Sequence, residues 1–140
     1  YFFKQTLNNP PPDAFFDNCN ILLVHALRNL YKEVYVSTNK IPKRDKLGIY
    51  AEIEKSILIV FSLIIEAVYK QKSLKRPALE QARIKIELIK QFIRTAYEIK
   101  SLEERNYLRF AASLQEISKM TNGWIKYLDT QNKTQNPPIK

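Results

Sequence analysis

Four cations in one stretch, Arg76, Arg83, Lys90 and Arg94, are spaced 7, 7 and 4 residues apart. On an α-helix, where successive side chains advance by about 100°, this spacing gathers them within roughly 40° of one another. Such a stripe meets successive phosphates of a nucleic-acid backbone through charge alone. The same face carries Glu80, Glu87 and Glu98 at i to i+3 or i+4 spacing, and solvated ion pairs give an identical pattern. Both readings stand at this level. A second basic group, Lys43, Arg44 and Lys46, follows Pro42 at the start of a helix. Cations there oppose the helix dipole, so an external anionic partner accounts for them better than helix stability does.

Chemistry of other kinds finds little material. His25 is the only histidine and Cys19 the only cysteine, and six residues apart on a helix they point about 120° away from each other. A metal site or a Cys/His nucleophile pair is therefore not expected, and no cofactor is implied. Glu52 and Glu54 lie on different sides of their helix, while Glu103 and Glu104 sit at a helix start, where acids belong on dipole grounds. No carboxylate cluster suited to two-metal nuclease chemistry emerges. The chain is read as a non-enzyme. Trp124, beside Gly123, is read as core, with Gly123 permitting a close helix approach; stacking on a base is the other use of an indole.

The elements that must position these residues are helical. With 140 residues, 45% hydrophobic and 26% charged, the chain is sized for one folded domain. Two glycines in all exclude glycine-rich phosphate loops and the tight turns of β-rich folds. The formal charge of +9 favours a polyanionic partner. Eight of those nine net charges fall in Lys40 to Lys46 and Lys72 to Lys100. A single cysteine forms no internal disulfide, and no secretion signal is visible, so a cytoplasmic location is expected. The longest apolar stretch, Ile57 to Ile65, is about half the roughly 20 residues needed to cross a bilayer.

Residues 1–13, with Pro10, Pro11 and Pro12, are expected to be a flexible N-terminal segment, and 130–140, with Pro137 and Pro138, a flexible tail. The domain between them, 14–129, reads as four helices. The first runs from Ala14 to Val36 behind an Asp13 cap, with Phe16, Leu23, Leu27, Leu30 and Val34 on one face. The second runs from Lys43 to Gln71 and is apolar nearly all round at its centre. The third runs from Pro77 to Lys100, and the fourth from Leu102 to Asp129, with Ser101 as N-cap and Glu104 completing a capping box. Short loops between four helices specify an antiparallel up-down-up-down bundle. In the third helix Leu79, Ala82, Ile86, Ile89, Ile93 and Ala96 form the core seam, and a second strip, Ile84, Leu88 and Phe92, lies well around the cylinder. That strip, with Ile59 and Leu63 of the second helix, is surface expected to meet another copy of the chain.

Ile41-Pro42-Lys43-Arg44 opening the second helix, Leu88 to Ala96 (LIKQFIRTA) and Leu114 to Lys126 (LQEISKMTNGWIK) are similar to segments of a known family. Over about residues 14 to 128 the chain resembles the four-helix bundle family of 23S rRNA intervening-sequence proteins. Within it, the likeness is to the branch of Avd, the accessory variability determinants of diversity-generating retroelements. Ser118 and Asn122 depart from it, standing where glycines are common in the family. The resemblance implies a homopentameric barrel of basic protomers that bind RNA or DNA and the retroelement's reverse transcriptase. Its implied role is to support mutagenic copying of a template RNA without catalysis. The alternative is a self-assembling helical protein that binds an acidic protein partner or ribosomal RNA and has no reverse transcriptase role.

Overall fold

The computed structural model describes the backbone of residues 14–135 and the side chains of residues 20–132. The Tyr1 to Asp13 segment with its expected cap, the side chains of Phe16 and Cys19, and the end of the tail with Pro137 and Pro138 lie outside the described residues. The elements are α1 (Ala14–Ser37), a 3-10 turn at Thr38–Lys40, α2 (Lys43–Leu47), α3 (Ile49–Tyr69), α4 (Lys72–Glu98) and α5 (Glu104–Gln135). No strand occurs among the described residues. The four long helices form a ring: α3 packs on α4, α4 on α5, and α1 closes against both α3 and α5.

Each long helix contributes one buried seam at spacings of three and four. In α1 it is Leu23, Leu27, Leu30 and Val34; in α3 it is Tyr50, Ile53, Ile57, Val60, Ile64 and Ala67. The expected seam of the third helix, from Leu79 to Ala96, is buried at every position. Phe110, Leu114, Ile117, Trp124, Ile125 and Leu128 complete the core from α5. Burying each aliphatic side chain of this kind contributes about 1.5 to 3 kcal/mol, which holds the ring closed.

The helix ends differ from expectation, and each difference has a tertiary cause. The expected second helix is two helices, broken at Gly48, whose N–H donates to the Asp45 carbonyl while its own carbonyl accepts from Glu52. A Cβ at Gly48 would lie 2.9 Å from the Arg44 carbonyl oxygen, so the break needs a residue without one. The third helix begins five residues early, at Lys72, with Pro77 inside its second turn. Proline near a helix start removes few bonds. Lys75 secures that early turn by donating from Nζ to the carbonyls of Ala67 at 2.7 Å and Val68 at 2.9 Å, the last turn of α3. The fourth helix starts at Glu104, not Leu102, because Ser101 does not cap it. The Ser101 hydroxyl bonds Asp45 Oδ2 at 3.0 Å instead, and Leu102 turns into the core. At its far end α5 continues past Asp129 to Gln135.

Between α4 and α5, Lys100 adopts φ of 64°, the left-handed conformation that closes the α4 C-terminus. Ser101 and Leu102 then both donate to the Ala96 carbonyl, at 2.9 and 3.1 Å. A side chain in this conformation costs about 1 kcal/mol relative to glycine.

The two glycines should respond oppositely to alanine. Gly123 sits in mid-helix with nothing within 4 Å of an added Cβ, so it does not mediate the close helix approach expected from sequence. Gly123→Ala is expected to raise stability by up to about 1 kcal/mol through helix propensity. Gly48→Ala is expected to lower it by about 1 kcal/mol or more, since the Arg44 carbonyl must move. Thermal denaturation of the pair checks both signs.

Candidate nucleic-acid interface

The core seam of α4 turns its opposite face to solvent, and the expected basic stripe lies along one side of that face. Every member of the stripe is paired with an acid. Arg76 meets Glu80 at 3.4 Å and also pairs with Asp129 of α5. Arg83 reaches the other oxygen of Glu80 at 2.5 Å, Lys90 reaches Glu87 at 3.0 Å, and Arg94 reaches Glu98 at 3.0 Å. The Glu98 hydrogen bond and charge push Arg94 further above its usual range, so it is a fixed cation. Four cations and four carboxylates thus interleave along this side of α4, whose first half borders a groove against α5. That groove, a cavity of about 410 Å³, is bordered by Arg76, Arg83, Ile84, Asn122, Lys126 and Asp129. Exposed pairs of this kind contribute only about 0 to 1 kcal/mol each, so a phosphate can compete for the guanidinium groups.

The second basic group stands differently. Lys43, Arg44 and Lys46 project from α2, all exposed, and Lys43 and Lys46 have no carboxylate within ion-pair distance among the described residues. Arg44 has only a loose contact at 3.6 Å with Asp45. α2 itself has no buried residue, so its position depends on a polar clasp. Asp45 accepts from the Ser101 hydroxyl, and the buried Tyr50 donates its hydroxyl to the Ser101 carbonyl at 3.1 Å. Sequence reasoning did not find this clasp: its partners are 56 and 51 residues apart, with no local signal. One turn further on, burial raises the Glu54 carboxyl above the usual range, and Lys46 partly offsets this.

Beside the stripe, the second strip of α4 is left largely uncovered by its own bundle. Ile84 is 66% and Leu88 36% exposed, while Phe92 lies partly against the core. Ile59 and Leu63 on α3 are half-buried, Leu63 packing on the core cluster. Trp124 is buried, as expected, with Lys75 Nζ 5.9 Å from its ring centre. Tyr97 and Tyr107 stack face to face at 4.4 Å and tie the ends of α4 and α5 together. His25 is exposed, and no group of three or more metal-ligating side chains occurs among the described residues. No helix among them is long and apolar enough to cross a membrane.

Tyr50 gives the clasp a pH signature. Burial, the larger effect, pushes its phenol up to about 12 against the lowering effect of the Ser101 bond. The unfolded chain releases this proton near 10, so the unfolded state binds fewer protons between these values and stability falls as pH rises through that window. One of the eight tyrosines is expected to ionise near pH 12 in a phenolate absorbance titration, a step absent in Tyr50→Phe. That variant should lose about 1 kcal/mol at neutral pH and show less decline above pH 10.

No curated protein and no solved structure matches the chain significantly. A family model does match, over residues 21–128, from the middle of α1 to the last core leucine of α5, taking in the core seams, the basic stripe and α2. The chain is therefore a member of the bAvd-like family.

Proposed function

We propose that this protein is a non-enzymatic, nucleic-acid-binding accessory protein that partners the reverse transcriptase of a diversity-generating retroelement. The observation that carries this reading is membership of the bAvd-like family, whose proteins are accessory rather than catalytic. A formal charge of +9 supports a polyanionic partner, RNA or DNA. Contacts to phosphates would make binding largely independent of base sequence. Lys43, Arg44 and Lys46 are the leading contacts, because Lys43 and Lys46 hold no ion pair among the described residues and Arg44 only a loose one. Arg76, Arg83, Lys90 and Arg94 form the second set, and each must exchange an intramolecular acid for a phosphate.

Self-association belongs to the same proposal. The exposed Ile84 and Leu88, with the half-buried Phe92, Ile59 and Leu63, support an interface between copies, and the family resemblance gives a homopentameric barrel. Light scattering at micromolar concentration should then report about five times 16.5 kDa; a mass of 16.5 kDa overturns assembly.

Binding is tested by titrating a labelled single strand and a duplex at several salt concentrations. Affinity should fall by about 0.9 log unit per log unit of salt for each duplex phosphate neutralised, and by somewhat less per phosphate on single strands. Replacing Lys43, Arg44 and Lys46 with glutamine should weaken binding at least tenfold, about 1.4 kcal/mol, with helicity and mass unchanged. The Arg83, Lys90 and Arg94 triple glutamine variant should show a smaller loss. A flat salt titration overturns the nucleic-acid reading. Copurification from native cells is expected to return a reverse transcriptase; an acidic protein or ribosomal RNA in its place would favour the alternative function.

A further inference from the structure

A cavity of about 730 Å³ lies at the end of the bundle where the loop after α1 meets the loop before α5. It is lined by the exposed Lys32, Lys40 and Lys100, none of which has a carboxylate partner among the described residues. The carboxamides of Asn39 and Asn106 line it too, with N–H donors that engage no protein group among the described residues. Two of the three carboxylates on its walls are already occupied. Glu33 holds Arg109 at 3.2 Å, and Asp45 accepts from Ser101 at 3.0 Å. Only Glu103, at the exposed rim, is uncommitted.

Lys100 adds an independent observation. It is the only non-glycine residue with a positive φ among the described residues, in a conformation where glycine or asparagine fits with less strain. That conformation closes the C-terminus of α4 and brings Lys100 onto the wall of the cavity.

We infer that this cavity is a phosphoryl-group site formed by Lys32, Lys40, Lys100, Asn39 and Asn106. Ammonium groups are compact point charges that suit a tetrahedral, multiply charged anion. A carboxylate would instead seek the planar fork of an arginine, and the one arginine here, Arg109, is engaged by Glu33. The phosphoryl group has two sources, the phosphorylated end of a nucleic-acid strand or a free nucleotide. The strand-end source rests on the nucleic-acid reading above; affinity for inorganic pyrophosphate does not.

Calorimetric titration of the full chain with pyrophosphate tests the site. Binding at low salt is expected, weakened at least fivefold in Lys100→Gly and in Lys40→Gln, tightened in Glu103→Gln, and unchanged in Lys119→Gln, which lies away from the cavity. Lys100→Gly should keep or raise the melting temperature because it relieves the left-handed strain, so lost binding in it is not lost folding. No pyrophosphate binding, or binding unaffected by both lysine replacements, overturns the site. If a 5′-phosphorylated strand binds more tightly than its 5′-hydroxyl twin and pyrophosphate abolishes the difference, the strand end is the source. Equal strand affinities with binding of a nucleoside diphosphate assign the free nucleotide. Pyrophosphate binding without any strand binding would sink the nucleic-acid reading and leave this site standing.

Discussion

Burying one apolar seam from each of four helices sets the rotation of every helix about its axis, and the surface chemistry follows from that rotation. Once Leu79, Ala82, Ile86, Ile89, Ile93 and Ala96 face inward, the other faces of α4 have no freedom. Arg76 and Arg83 must project beside α5, and Ile84 and Leu88 must face away from the core. A one-residue slip would turn these faces by about 100° and carry the stripe as a whole away from its place beside α5.

Electrostatics then separates two basic groups that look alike in one dimension. The α4 stripe is interleaved with Glu80, Glu87 and Glu98, and α5 adds Asp129, so the stripe is close to neutral overall. The cations of α2 stand on a turn with little acidic company, because Asp45, the one acid there, is turned to Ser101. Proximity to a carboxylate decides which charges are free to meet a partner. That depends on side-chain reach as well as on charge count.

Local signals were reliable where local physics decides. Helix seams, the loop at Pro42 and the burial of Trp124 follow from periodicity and from the shape of single side chains, and they appear where expected. Helix ends were less legible. Pro77 marks a helix start by its own chemistry, yet α4 begins at Lys72 because Lys75 reaches the last carbonyls of α3. Ser101 has the sequence surroundings of a cap, yet Asp45 claims its hydroxyl from another helix. Gly123 reads as a contact residue and lies open, while Gly48 marks the break in what reads as one long helix.

Sequence alone therefore determined the helical class, the seams of α1 and α4, the cationic excess and the face on which each charge of α4 lies, because 3.6-residue periodicity and side-chain type are properties of the chain itself. Tertiary structure alone decided where helices begin and break and which carboxylate holds which cation. It also decided that Lys32, Lys40 and Lys100 meet around one cavity. These outcomes depend on contacts between residues far apart in the chain, whose geometry exists only after the seams have packed.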